Sequence, residues 1–278
     1  MEIRNREKKA AIKGHIVMIL LVALFAYPFL YMVSTSFKTM AEIFEGGLSL
    51  VPSNPTFENY IKVFTSLPVL EYLKNSFIIA LLAMTAKIIT SVLAAYALVF
   101  MDFKWKEAWF YFFTLTMFIP FTVIILPNYL TINRMGLLST LVGVALPQMA
   151  DAMGIFRIRQ AMRTVPKSLV EAARLDNVNH FTALTKIVIP LVKPAISAMC
   201  IFFFINSWNE YFWPLLILKG NDLSTITLAL QQFASGESGS AWGSSMALAT
   251  VSTAIPLVLY LVFQKYIIGT FMSSGIKE

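Results

Sequence analysis

Residues 157–194 read RIRQAMRTVPKSLVEAARLDNVNHFTALTKIVIPLVKP, a 38-residue polar island between hydrophobic segments that holds seven of the chain's 22 lysines and arginines. Its centre, from Ser168 to Asn177, has the pattern of a short helix followed by a sharp turn. Ser168 and Glu171 stand three apart, the spacing of a capping box, in which hydroxyl and carboxylate each accept a free backbone N–H at a helix start. Pro166 keeps the chain from being helical earlier. Asn177 supplies the turn, because asparagine is second only to glycine in tolerating left-handed backbone. A second helical stretch is expected over about residues 179–187, leading to Pro190 and Pro194. A connection of this length is uncommon without a function of its own.

Outside the island the chain is too apolar for a soluble domain. Of 278 residues, 58% are hydrophobic and 13% charged, against about 25% charged in ordinary soluble domains. That balance indicates an integral membrane protein. Six apolar stretches are long enough to span a hydrocarbon core roughly 30 Å thick, at about residues 16–36, 75–100, 108–130, 138–156, 195–218 and 244–268. The expected fold is therefore all-α, with six transmembrane helices. It comprises a cytoplasmic tail (1–15), a six-helix membrane domain (16–268) with the island as a cytoplasmic loop, and a second cytoplasmic tail (269–278). The first stretch carries Tyr27-Pro28-Phe29-Leu30-Tyr31 and reads as an uncleaved helix, since signal-peptide cores run only about 7–15 residues. Phe57 to Phe64 has helical spacing and is expected to lie as an amphipathic helix on the membrane surface. Residues 219–243 read as a Gly/Ser-rich loop.

The formal charge of +7 would suit a nucleic-acid partner, but the positive residues flank apolar segments, which is a pattern of membrane orientation. With the N-terminus inside, sixteen Lys and Arg fall on the inner side, including Arg4, Arg6, Lys8, Lys9, Lys13, Lys104, Lys106, Lys265 and Lys277. Five fall outside: Lys38, Lys62, Lys74, Arg134 and Lys219. Both termini and the island are thus expected in the cytoplasm. Trp105, Trp109 and Trp242 fall at expected interfaces, as aromatic-belt anchors do.

Several chemistries lack their residues. There is no G-x-x-x-x-G-K-[ST] phosphate loop, no H-E-x-x-H and no G-x-S-x-G. One cysteine, Cys200, and two histidines, His15 and His180, argue against a metal centre or an intramembrane enzyme. Uphill transport would then draw on an ion gradient or on another subunit.

Glu171-Ala172-Ala173, three residues, Asn177, nine residues and Ile187-Val188-Ile189-Pro190 resemble the cytoplasmic-loop signature of ABC importer permeases, E-A-A-x3-G-x9-I-x-L-P. Asn replaces Gly at 177 and Ile replaces Leu at 189; the first keeps the permitted turn and the second keeps side-chain size. Phe57-Glu-Asn-Tyr60, Asn75-Ser76, Ala94-Ala-Tyr96-Ala, Ile119-Pro120, Leu126-Pro-Asn-Tyr129 and Trp208-Asn209-Glu210 extend the resemblance over nearly the whole chain. Together they resemble the maltose-type sugar permeases, specifically the shorter of the two paired subunits. The resemblance implies an ABC type I importer permease fold and ATP-driven import of a sugar, expected to be an oligosaccharide. It implies a homologous permease as heterodimer partner, two ATP-binding-cassette ATPase subunits and an extracytoplasmic sugar-binding protein. ATP and magnesium would belong to the ATPase subunits, leaving this chain a transport subunit without a cofactor or metal, in a bacterial or archaeal cytoplasmic membrane. In that family the two short helices of the loop dock into a cleft on the ATPase, with the Glu at the position of Glu171 central. Ser168, Glu171, Ala172, Ala173, Arg174, Asp176 and Asn177 are the coupling residues so implied.

A second constellation lies within the spans. Ionisable residues cost about 2.5–3.5 kcal/mol at a membrane centre on insertion scales, and Lys87, Asp151 and Glu210 fall there. Asn206, Asn209, Glu210 and Trp213 recur at i, i+3, i+4 and i+7, on one face of a continuous fifth helix. That face either lines a translocation path or packs between helices and subunits. Lys87 either pairs with Asp151 or Glu210, or snorkels. The same three charges support the alternative function, an ion-coupled secondary carrier, although six spans without a visible inverted repeat are few for one.

Overall fold

The computed structural model describes residues 2–219, 223–235 and 242–275, and no strand occurs among them. The tail Ile276–Glu278 with Lys277, and residues 220–222 and 236–241 of the expected Gly/Ser loop, lie outside the described residues. The chain divides into two compact units, Met1–Val69 with Leu230–Ala254, and Leu70–Ala229 with Ile255–Glu278.

The first unit is built on helix α1 (Glu2–Ser36), whose apolar segment Ala11–Ser36 is long enough to cross a membrane. Its side chains from Ile16 to Leu30 are largely exposed, which fits hydrocarbon rather than water as their solvent. At its end the chain folds back through α2 (Met40–Glu45) and α3 (Glu58–Ser66). The Asn59 amide donates to the carbonyls of Ser36 and Lys38 at 3.0 and 2.8 Å. The Tyr60 hydroxyl meets Ser36 Oγ at 2.8 Å, and Phe37 packs against Phe57 and Tyr60. Lys38, fully buried, donates to the Ser49 carbonyl and lies over the Tyr31 ring. The backbone N–H of Ser53 holds the Glu42 carboxyl below the usual carboxylate range. On α3, Val63 is buried while Ile61 and Phe64 remain exposed, as an amphipathic helix at an interface requires.

The second unit starts with α4 (Val69–Phe100), an unbroken span. The next three apolar stretches are broken. α5 (Lys106–Thr116) and α6 (Phe121–Arg134) meet at 97°, where a single helix over 108–130 was expected. Pro120 at the start of α6 excludes helical backbone at Ile119 and so ends α5. The stretch expected at 138–156 is α7 (Leu141–Ala145), a 3-10 turn (Leu146–Gln148) and then α8 (Ala152–Met162), bent by 49°. Asp151 caps α8, its Oδ1 accepting the Gly154 N–H at 2.8 Å. α8 runs six residues past Phe156, so Arg157 and Arg159 belong to a helix and not to the loop.

The polar island continues with α9 (Lys167–Leu175), α10 (His180–Ala183), a π-turn (Leu184–Val188) and α11 (Ile189–Leu191). α12 (Lys193–Asn209) departs from that stretch at 84°. The expected fifth span then breaks at Glu210–Tyr211 before α13 (Phe212–Ile217). Within the expected Gly/Ser loop, α14 (Ile226–Ser235) forms instead. Asn75 donates to the Ser224 carbonyl at 3.0 Å, and Ser76 Oγ accepts the Ile226 N–H at 2.9 Å, which fixes the start of α14. The last helix, α15 (Trp242–Gly275), begins two residues earlier than expected and runs beyond the expected span.

Two cores organise the second unit. One joins α4, α8 and α12 to the island, through Tyr96, Val99, Ile158, Met162, Val170, Ala183, Val188 and Phe203. The other gathers Ile79, Ile132, Val144, Trp213 and Ile217. Arg159, 6% exposed, bonds both Glu107 oxygens at 3.3 Å and stacks its guanidinium 3.7 Å from the Phe110 centroid, tying α8 to α5. Gly154 sits where a Cβ would collide with Ser91 Oγ and the Phe203 ring. Gly154→Ala is therefore expected to destabilise the fold by about 1–3 kcal/mol, lowering the thermal midpoint of the detergent-solubilised protein. Gly14, around which a Cβ meets open space, is the control: Gly14→Ala should leave the midpoint unchanged or slightly raised.

Candidate functional site

The island folds as a small rigid body. α9 places Val170 and Ala173 in the core and leaves Glu171, Ala172, Arg174 and Asp176 on its outer face. Its end is a complete Schellman motif. Asn177 is left-handed at φ +59°, its N–H bonds the Arg174 carbonyl at 3.0 Å, and the Val178 N–H bonds the Ala173 carbonyl at 2.9 Å. Asn177 thus does conformationally what glycine would do there. The start of α9 differs from the expected capping box. Pro166, extended at φ −57° and ψ 125°, is the N-cap, and no side chain caps the helix. Proline restricts the residue before it and fits the first positions of a helix, so Val165 is excluded while Lys167 is helical. Ser168 consequently falls inside the first turn and Glu171 one turn further on, with its carboxylate exposed.

The side-chain cap that does form is at the second short helix, where Asn179 Oδ1 accepts the Thr182 N–H at 2.8 Å. This helical stretch reaches Leu191, beyond the expected 187, by way of the π-turn. Within it the Ile189 N–H bonds the Leu184 carbonyl, five residues back. Widening the turn accommodates Pro190, which has no N–H and whose ring would crowd the carbonyl four residues before it. His180, which the sequence did not single out, anchors the body. Its Nδ1 lies 3.2 Å from the Tyr96 hydroxyl on α4, with the rings edge-to-face at 6.0 Å. Leu175 (85% exposed) and Phe181 (70% exposed) stand out on the two short helices as uncovered apolar groups. The helix spacing could have revealed Leu175, since Val170 and Ala173 take the buried face.

The intramembrane residues are arranged differently from one helical face. The break at Glu210 separates Trp213 from Asn206 and Asn209, which are exposed, whereas Trp213 is 2% exposed and packs in the second core. Glu210 explains the break: its Oε1 accepts the N–H groups of Phe212 and Trp213 at 3.1 and 3.2 Å, which start α13. Lys87, Asp151, Glu210 and Trp213 nevertheless line one cavity of about 220 Å³, together with Asn128 and Gln148. Lys87 forms no ion pair within 4.0 Å among the described residues; its Nζ lies 5.3 Å from the Phe203 ring centroid. Of the two alternatives, pairing or snorkelling, the structure gives no close ion pair: Lys87 shares a cavity with Asp151 and Glu210 and lies over an aromatic face. No cluster of three or more metal-ligating side chains occurs among the described residues.

Unbroken and broken apolar helices, with a folded polar loop held against them, define a multi-span membrane protein. The chain belongs to the family described as binding-protein-dependent transport system inner membrane component, which it matches over residues 87–270. It is 32% identical over 263 residues to the sn-glycerol-3-phosphate transport system permease protein UgpE of Brucella melitensis, covering 92% of this chain and 93% of the relative. It is 31% identical over 255 residues to the arabinooligosaccharides transport system permease protein AraQ of Halalkalibacterium halodurans, covering 90% and 91%. Among solved structures, a chain of a bacterial ABC transporter involved in the import of the acidic polysaccharide alginate superposes with a TM-score of 0.83 at 24% identity, over 94% of this chain and 97% of that one. The fold is thereby that of an ABC importer permease.

The left-handed turn is open to direct test. Asn177→Gly is expected to leave the loop intact, whereas Asn177→Val should cost about 1–2 kcal/mol or more. Faster hydrogen exchange at the Asn177 and Val178 amides in the valine variant alone would report it.

Proposed function

We propose that the chain is the permease subunit of an ATP-driven importer of sugars, with an oligosaccharide as its solute. It would pair with a homologous permease as a heterodimer and receive solute from an extracytoplasmic sugar-binding protein. Two ATPase subunits would bind ATP and magnesium and supply the energy, while this chain carries no catalysis of its own. Both termini and the 157–194 loop face the cytoplasm in this reading, which the asymmetry of Lys and Arg supports. The relative with arabinooligosaccharides in its name supports an oligosaccharide solute, while the one with sn-glycerol-3-phosphate in its name shows that related permeases also serve a phosphorylated polyol.

One observation carries the coupling role. The loop presents an exposed carboxylate, Glu171, and two uncovered apolar side chains, Leu175 one turn on in the same helix and Phe181 on the next, on helices whose other faces are locked into the core shared with α4, α8 and α12. An apolar pair beside a charge suits a protein groove better than water. A body fixed by a Schellman turn, an Asn cap and the Tyr96–His180 bond passes a displacement to the spans instead of absorbing it. Ser168, Ala172, Ala173, Arg174, Asp176 and Asn177 then act mainly by shaping and spacing that surface.

Purification of the chain with its neighbouring subunits tests the reading, and an ATPase should co-purify. Glu171→Ala together with Phe181→Ala is expected to reduce ATP-driven uptake in proteoliposomes by at least about tenfold, the loss of roughly 1.4 kcal/mol or more of docking energy. The thermal midpoint of the purified chain should stay within a degree or two, since both side chains are exposed. Unaltered uptake in the double variant would remove the coupling role.

A further inference from the structure

We propose that the turn over residues 44–51 inserts its apolar side chains among the lipid acyl chains of the leaflet at the far end of α1, and that Tyr27 and Tyr31 hold it there. Depth along α1 comes first. Lys13 is the last Lys, Arg, Asp or Glu before Lys38. With Lys13 at one boundary, a hydrocarbon core roughly 30 Å thick is crossed in about 20 helical residues, close to Val33. Tyr31 then lies about 3 Å and Tyr27 about 9 Å inside the opposite boundary, and helix tilt would bring both deeper. The turn reaches back to both residues. The Tyr27 hydroxyl donates to the Leu48 carbonyl at 2.9 Å, and the Tyr31 hydroxyl to the Gly47 carbonyl at 3.4 Å.

The backbone of the turn is bonded as a setting without water requires. Besides those two bonds, the Gly46 carbonyl accepts from the Ser49 N–H at 3.3 Å, the Val51 carbonyl from Ser49 Oγ at 3.1 Å, and the Ser49 carbonyl from buried Lys38. On an aqueous surface water would bond such carbonyls, whereas irregular backbone at membrane depth has to find protein partners. The side chains do the reverse. Phe44, Leu48 and Val51 are 66%, 73% and 75% exposed, continuing the exposed apolar surface of α1 from Ile16 to Leu30. A water-soluble partner does not reach below the headgroups, which favours lipid as the occupant. Glu42 accepts the Ser53 N–H, so Glu45 is the exposed charge of the stretch. Its carboxylate belongs at the headgroups, which keeps the insertion within the roughly 5–10 Å usual for interfacial elements.

Spin labelling of the full chain, co-purified with its subunits and placed in phosphatidylcholine–phosphatidylglycerol vesicles, tests this. A nitroxide is attached at Leu48→Cys or Val51→Cys on a Cys200→Ser background, and its collisions with oxygen and with a neutral nickel chelate are compared. Nickel collisions should be at least about fivefold fewer than at Lys62→Cys, an exposed position on α3, because a hydrated chelate is excluded from hydrocarbon. Oxygen collisions should stay high. Tyr27→Phe with Tyr31→Phe leaves two carbonyls unbonded and should raise nickel collisions at Leu48→Cys to near the Lys62→Cys level. Nickel collisions as frequent at Leu48→Cys and Val51→Cys as at Lys62→Cys would overturn the proposal in favour of an aqueous turn. Few collisions with either reagent would overturn it in favour of a protein cover: the homologous permease, or the sugar-binding protein where they fall only on its addition. An unchanged value in the double phenylalanine variant would overturn the role of the two tyrosines.

Discussion

In hydrocarbon an unpaired backbone N–H or C=O costs several kcal/mol, so a helix can stop inside a membrane only where something else bonds its ends. That constraint governs this chain. Asp151 takes the N–H of Gly154 at the start of α8, and Glu210 takes those of Phe212 and Trp213 at the start of α13. Thr140 does the same for α7, accepting from Gly143 at 2.9 Å. At the α5–α6 break the device is Pro120, which brings no N–H to satisfy. Carboxylates that look misplaced in an apolar sequence are what allow the spans to be interrupted, and the interruptions open the cavity that Lys87 enters.

Outside the spans the same need is met by the backbone itself. At the end of α9 two carbonyls that a helix terminus would leave free are bonded by the amides of Asn177 and Val178, and only a left-handed residue at 177 permits it. The turn brings Val178 and the following helix back onto the core that already holds Val170. Glu171, Leu175 and Phe181 are thereby presented on a surface that cannot shift without moving what lies beneath.

The all-helical membrane class was readable from composition, because length and hydropathy settle whether a stretch can cross a bilayer. The breaks were not, because Pro120 or Asp151 in an apolar run is equally compatible with a kinked continuous helix. Glu210 misled in a specific way: its spacing from Asn206 and Trp213 assumed an unbroken period, and the residue that completed the pattern is the one that interrupts it. The turn at Asn177 was legible because few residue types accept its backbone. The start of α9 was not, since Ser168 and Glu171 match a capping box wherever they occur and only the proline two residues earlier decides the register. The Tyr96–His180 bond joins residues 84 positions apart, and no local pattern encodes it.

The two candidate sites are joined by packing. Phe203 belongs to the core that holds Val170, Ala183 and Val188 of the loop, and its ring also carries the Lys87 ammonium and blocks any side chain at Gly154. A close-packed core does not deform gradually, so displacement of the loop is felt at Phe203 and from there at Lys87 and the capped start of α8. Contiguity of this kind carries coupling only through an element with two arrangements. The interrupted stretches α7–α8 and α12–α13 restart on their own side-chain caps, so the backbone donors at the breaks are satisfied. Breaking the spans and capping the breaks is then what allows a polar cavity within an apolar domain.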